Sequence, residues 1–234
     1  SCGLTHTIKQ EDTMKTILLS KHHIHKSPWK GYDIQDQYAP LHEGYLISIL
    51  VVLHCALRQY SRVLVLRFDL RVPEGFDETD TAVISRFFDS LKSQIHEDYL
   101  RHAAKGKYVP RCRLRYVWAK ERGYGNDGLH YHVAILLPYK RFRVLGHFDY
   151  DDEPDMTKAQ KNMAHRIRKA WVSATYRLAN PALVHFCSEG VYVMDSAPPE
   201  FEKQKRDVFF RLSYLAKVET KETVEGRTFG CSRV

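Results

Sequence analysis

Residues 116–137, YVWAKERGYGNDGLHYHVAILL, are the stretch on which the fold of this chain turns. Two largely apolar runs flank a polar, glycine-bearing segment, the pattern of a β-hairpin. Near the start of the second run stands His130-Tyr131-His132. Side chains alternate faces along a strand, so the two imidazoles point the same way, roughly 7 Å apart along it. With the turn centred on Gly125 and Asn126, Glu121 falls directly opposite His130 and shares its face. Two imidazoles and a carboxylate can grip one divalent ion and leave coordination positions open, as catalysis requires and a closed structural site does not. Open positions suit Mg²⁺ or Mn²⁺, and histidine tilts the preference toward Mn²⁺ or another transition ion.

Outward from the hairpin, the segment RVLVLRFDLRV, Arg62 to Val72, alternates as a strand. Leu64, Leu66, Phe68 and Leu70 line one face, and Val63, Val65, Arg67, Asp69 and Arg71 the other, with Pro73 and Gly75 closing it. Before it, Leu46, Ile49, Leu50, Leu53 and Leu57 recur at three and four, which predicts a helix over Leu41 to Tyr60. Between strand and hairpin, Val83, Ile84, Phe87, Phe88, Leu91 and Ile95 predict a second helix, Thr79 to about Ala104. The first hairpin strand is predicted over Cys112 to Arg122 and the second over Leu129 to Leu137. Beyond them come a loop at Tyr139 to Asp155 and a basic amphipathic helix at Thr157 to Leu178. Short strand pieces at Leu183 to Cys187 and Val191 to Met194 follow around Gly190, then a helix at Lys203 to Lys217 and a polar tail from Glu219.

The order β-α-β-β-α-β predicts an α+β fold of ferredoxin-like type. An antiparallel sheet would carry helices packed on one face, with an N-terminal helix and a C-terminal tyrosine-bearing helix added. Its first and third strands would be central neighbours, setting the histidine pair beside Arg67 and Asp69. The other face of the sheet would be spare for a site. Residues 1–40 are expected to form an arm, its beginning a tag or disordered, and 41–234 one domain with its core at about 62–218.

Lys and Arg outnumber Asp and Glu by 36 to 28, giving a pI near 9.2. Such a balance favours polyanionic partners, nucleic acid first. The five cysteines are odd in number, far apart and without a CxxC pair. That speaks against a disulfide framework and a cysteine zinc site, and for reduced thiols in a cytoplasm. The longest apolar run, Tyr45 to Leu57, contains His54 and falls short of the roughly 20 residues a bilayer span needs. No P-loop pattern is present, so no ATPase of that type lies within the chain. A second His-x-His, His23-Ile24-His25, has no carboxylate placed beside it and reads as part of a basic, solvated arm.

A metal that polarises a phosphoryl oxygen needs a nucleophile to act with. The candidate lies in RLSYLAKVETK, Arg211 to Lys221, where Tyr214 and Lys217 stand three apart on a predicted helix. A free tyrosine, with a pKa near 10, is a poor nucleophile at neutral pH. An adjacent ammonium stabilises its phenolate and can also bond the phosphate oxygens under attack.

With the hairpin YVWAKERGYGNDGLHYHVAILL and the later FFRLSYLAKVETKETVEGRTFGCSR, the chain resembles the HUH endonucleases from about Arg62 to Arg233. These are the rolling-circle replication initiators of phages and plasmids, and the relaxases. The wording is closest to the filamentous-phage (inovirus) initiators and the YagK/YfjJ-type prophage proteins. The resemblance implies that His130 and His132 are ligands of Mg²⁺ or Mn²⁺, with Glu121 as the acidic third and Asp69 an outside candidate for that place. It implies that Tyr214 is the nucleophile and Lys217 the lysine of the tyrosine motif. The implied reaction is nicking of single-stranded or origin hairpin DNA through a 5′-phosphotyrosine, in a bacterial cytoplasm, with a host helicase and polymerase following. The motif holds one tyrosine, which leaves release to another group such as a water activated by Glu219 or Glu222. Relaxase or tyrosine-type transposase activity would share this chemistry, and a non-catalytic DNA-binding module would share the fold. Candidate phosphate contacts are Lys140, Arg141, Arg143, Arg166, Arg168, Lys169 and the Arg111, Arg113, Arg115 alternation. Tyr124 in the turn is a candidate for stacking a base, a contact worth roughly 1–3 kcal/mol.

Overall fold

The computed structural model describes residues 22–123, 128–143, 162–197, 199–221 and 224–233. Its strands are β1 (His23–Ile24), β2 (Leu41–His42), β3 (Arg62–Arg71), β4 (Arg115–Arg122), β5 (Leu129–Pro138), β6 (Val184–Asp195) and β7 (Phe229–Cys231). The described α-helices are α1 (Glu43–Gln59), α2 (Val83–Ala103), α3 (Met163–Ala174) and α4 (Phe201–Ser213). None of these is long and apolar enough to cross a membrane.

β1 and β2 form a small pair, and the other five strands form one antiparallel sheet in the order β6-β3-β5-β4-β7. The predicted neighbours β3 and β5 are indeed central, and their register sets Asp69 opposite His132 and Arg71 opposite His130. The alternation in β3 sorts the core as read from the sequence. Leu64, Leu66, Phe68 and Leu70 pack with Phe87, Phe88 and Leu91 of α2 and Ile167 and Trp171 of α3. The indole N–H of Trp171 also donates to the Arg71 carbonyl at 2.9 Å, fixing α3 across the end of β3.

Val63 and Val65 turn the other way, with Ala134, Leu136 and Val117. They meet Leu46, Ile49 and Leu53 of α1 and Val208, Phe209 and Leu212 of α4. The crossover helices thus share one face as predicted, but the opposite face is spare only in part. The added N- and C-terminal helices cover its apolar end, where valine and leucine need burial. The polar end of the same face, at Arg67, Asp69, Glu121, His130 and His132, is left for a site.

Three stretches differ from their sequence reading. The two strand pieces near Gly190 are one strand, β6, whose register shifts so that residues 187–190 bulge opposite Arg67. Gly190 permits this approach, since a Cβ there would lie 2.4 Å from the Arg67 carbonyl oxygen. The polar tail contributes a strand: β7 pairs with β4, Trp118 opposite Gly230, where a Cβ would press on the indole at 2.6 Å. The arm is no solvated tether from Trp29 onward, because Trp29 and Ile34 are buried in the core under α1 and α4. The arm reading of residues 1–21, and the start of the helix predicted from Thr157, lie outside the described residues.

Candidate metal and tyrosine site

The β4–β5 register puts Glu121 opposite His130, as the hairpin reading required. One ligand atom from each of Glu121, His130 and His132 lies within 4.8 Å of the others. The Nε2 atoms of the two imidazoles are 3.2 Å apart, and His132 Nε2 is 3.4 Å from Glu121 Oε2. The opposite edge of each ring has its own acceptor. His130 Nδ1 is 3.2 Å from the Gly128 carbonyl, and His132 Nδ1 is 2.6 Å from Asp69 Oδ1, with Arg67 Nη2 at 2.8 Å from the same nitrogen. An Nδ1–H donating outward leaves the Nε2 lone pair pointing inward, the tautomer in which a metal ligand is held. The donor set of two imidazole nitrogens and a carboxylate therefore fits a divalent ion. Asp69, read as an outside candidate for the acidic ligand, instead orients His132, and Arg67 ion-pairs with Asp69.

The charges support one another. Burial disfavours the Glu121 carboxylate, but His132 and the Lys221 ammonium outweigh it and hold its pKa well below the usual range. Burial opposes the Asp69 carboxylate too, and His132 and Arg67 win there by the same means. His130 is pushed down, first by burial and then by His132 beside it, which favours the neutral imidazole. Lys221 Nζ donates to Glu121 Oε1 at 2.7 Å, leaving Oε2 turned to the histidines. The same ammonium donates to the Lys217 carbonyl, so it ties the carboxylate to the tyrosine segment.

That segment is a tight turn rather than a continued helix. α4 ends at Ser213, and Tyr214–Ala216 form a 3-10 turn after which Lys217 is extended. The turn swings the Tyr214 ring edge-on to His132, centroids 5.1 Å apart. Lys217 Nζ lies 5.7 Å from the Tyr214 ring centre and 5.8 Å from that of Tyr38. Burial, and then the Glu121 carboxylate, push the Tyr214 phenol up to about 12. Positive charge near its oxygen is what would bring it within reach.

The arm holds this turn. Gln35 is buried; its amide donates to the Phe210 and Arg211 carbonyls at 3.0 and 3.1 Å, and its backbone N–H to Ser213 Oγ at 2.9 Å. Those carbonyls lie at the end of α4, where the Phe210 carbonyl also accepts from Ser213 Oγ at 2.7 Å. The Val218 N–H donates to the Pro40 carbonyl at 3.0 Å, and Leu41 bridges to Lys217. Arg67 stands beside the histidines as the strand order implied, while Gln35, Ser213 and Lys221 escaped the sequence reading. Only Lys221, four residues after Lys217, carried a hint in its spacing.

Three proposed phosphate contacts are corrected. Arg141 and Arg166 are buried side chains whose guanidiniums reach Asp98 at 3.2 and 2.9 Å, so both serve the fold's interior. Arg115 is also buried, donating to Gln59 Oε1 at 3.2 Å. Arg168 is half-buried over the Phe186 ring at 5.2 Å. Lys140, Arg143, Lys169, Arg111 and Arg113 are exposed, as is Glu219. Tyr124 and Glu222 lie outside the described residues. His23 and His25 are exposed, and His23 pairs with His42 across β1 and β2.

Residues 24–232 match the profile of the YagK/YfjJ C-terminal domain. The chain is 35% identical over 189 residues to "Uncharacterized protein YagK" of Escherichia coli (strain K12), covering 75% of this chain and 86% of that one. It is 29% identical over 203 residues to "Uncharacterized protein YfjJ" of the same strain, covering 81% and 93%. No solved structure matches the chain.

Proposed function

We propose that this chain, which belongs to the YagK/YfjJ C-terminal domain family, is an HUH-type endonuclease that nicks and rejoins single-stranded DNA. The observation that carries this reading is the Tyr214 ring lying 5.1 Å from the His132 ring, which brings a nucleophile to a carboxylate–imidazole donor set. Glu121, His130 and His132 would hold Mg²⁺ or Mn²⁺, which when bound polarises a phosphoryl oxygen and favours a phenolate nearby.

Tyr214 Oη attacks the scissile phosphorus; the Oη–P bond forms and the P–O3′ bond breaks. The phenolic proton passes by way of solvent to the departing 3′ oxygen, giving a 5′-phosphotyrosine and a free 3′ hydroxyl. Lys217, beside the tyrosine ring, supplies positive charge to the phosphate as charge builds on its oxygens. Lys221 keeps Glu121 ionised and turned, and Asp69 keeps His132 in the ligating tautomer. Attack by a 3′ hydroxyl on the phosphotyrosine reverses the step and joins strands. In a bacterial cytoplasm such a nick starts rolling-circle replication of a phage, prophage or plasmid, with a host helicase and polymerase extending the 3′ end.

The test is to incubate the protein with a library of single-stranded and hairpin DNAs and Mn²⁺, then look for an adduct that survives denaturant. An adduct with the wild type that vanishes in Tyr214→Phe supports the assignment. No adduct across the library removes the nickase and leaves DNA binding alone.

A further inference from the structure

The pairing that builds the Glu121 site is repeated on the same face of the sheet, toward its β6 edge. On β4 and β5, a carboxylate faces one donor of an i, i+2 pair: Glu121 opposite His130, with His132 next on that face. On β3 and β6, Asp69 stands opposite His185, and Cys187 follows two residues on. One ligand atom each from Asp69, His185 and Cys187 lies within 4.8 Å of the others. We propose that these three side chains form a second metal site, distinct from the Glu121–His130–His132 set, that takes Zn²⁺ or another thiophilic divalent ion.

Donor chemistry separates the two sets. The first offers oxygen and imidazole, which suit Mn²⁺ and Mg²⁺; the second adds sulfur, which selects zinc-like ions. Carboxylate, imidazole and thiolate fill three positions of a tetrahedral zinc and leave the fourth to water. Access is open, since the His185 side chain is 59% exposed at the edge of the sheet. The bulge that Gly190 permits begins at Cys187, so it is part of how the sulfur is presented. Arg67 Nη1, which donates to the Phe68 carbonyl and to Asp69, also lies 3.7 Å from Cys187 Sγ, so its positive charge faces the sulfur as a metal displaces the thiol proton. A carboxylate and a thiolate against this one guanidinium still give the site net negative charge. Two other thiols are disfavoured as thiolates: burial pushes Cys112 up to about 12 and raises Cys231 as well.

Asp69 links the two sets. Its Oδ1 holds His132 Nδ1 at 2.6 Å, while its Oδ2 lies 3.7 Å from His185 Nδ1. An ion drawn to Asp69 from the β6 side would therefore alter how His132 is held, making the second site a regulator of the first.

Cobalt is the probe, because a thiolate on Co²⁺ gives a near-ultraviolet sulfur-to-metal charge-transfer band and an imidazole or carboxylate does not. The whole chain is titrated with Co²⁺ alone, then with Zn²⁺ in competition, with circular dichroism to check folding. The expected result is a band in the wild type that Zn²⁺ removes, that is lost in Cys187→Ser and weakened in His185→Gln, and that persists in His130→Gln. Absence of the band in the wild type overturns the proposal. So does a band that survives Cys187→Ser, which places the thiolate on another cysteine, or one that disappears in His130→Gln, which merges the two sites.

Discussion

Among the described residues, the charge clusters around Asp98 and around His132 are built on opposite plans. Around Asp98, guanidiniums converge on one carboxylate: Arg166 and Arg101 each at 2.9 Å and Arg141 at 3.2 Å. Each of these contacts sets a donor against an acceptor, and the cluster closes on itself between α2, α3 and the end of β5. Around His132 the pattern differs. Two Nε2 atoms and a carboxylate oxygen converge at 3.2 and 3.4 Å, while the outward edge of each ring has its own hydrogen-bonding partner. A closed cluster can only stabilise or destabilise a fold, whereas converging lone pairs are a donor set for a cation. The contrast sets charge that closes on itself against charge arranged as a candidate metal site within one protein.

The most severe test of that division is Tyr214→Phe. It should abolish the covalent adduct, with nicking down by at least about 10³-fold, while the denaturation midpoint stays close to wild type. A large loss of stability instead would move Tyr214 to the structural side.

Asp98→Asn should do the reverse. Removing the carboxylate from buried guanidiniums should cost about 3 kcal/mol in denaturant unfolding and leave Mn²⁺ affinity unchanged. Burial disfavours the Asp98 anion, but Arg166 and Arg141 more than compensate and hold its pKa below the ordinary value. A lowered carboxylate pKa stabilises the fold above the unfolded value and loses that effect as pH falls through the folded one. The gap between wild type and variant should thus be full at neutral pH and close on acidification below about 4. A gap that stays constant with pH would show that the cluster acts through packing alone.

Asp69→Asn touches the boundary between the two kinds of charge. With His132 no longer fixed by a carboxylate, Mn²⁺ affinity measured by calorimetry should fall about 10–100-fold. Unchanged affinity would return Asp69 to the structural class. The smallest effect belongs to Gln35→Ala. Losing two hydrogen bonds to the end of α4 should cost about 1–2 kcal/mol and loosen the tyrosine turn, read as slower adduct formation.

What the sequence disclosed follows from the range of each interaction. Glu121, His130 and His132 were legible because a strand's period of two and a hairpin's register are local rules, and they place these residues within a few positions of one another. The β-α-β-β-α-β order was legible for the same reason, since each element carries its own periodicity. Arg141 and Arg166 were misread because sequence displays the sign of a charge and not its partner. Asp98 lies more than forty residues from either on the chain, beneath a helix face that gives no hint of it. β7 was missed because three residues, one of them glycine, carry no alternation to read. The arm's role was hidden most completely, because Gln35 acts through main-chain carbonyls, which every residue possesses. His185 and Cys187 went unnoticed because their third donor, Asp69, stands more than a hundred residues away on β3, with no hairpin register to link them.

The hold of Gln35 on the end of α4 also has a consequence in time. The two partners are separated by 175 to 178 residues. At a synthesis rate of about 5–20 residues per second, the arm leaves the ribosome roughly ten to forty seconds before the turn it must clasp. Tyr214 can take its final setting only after that wait, when the arm and the turn are both free of the ribosome.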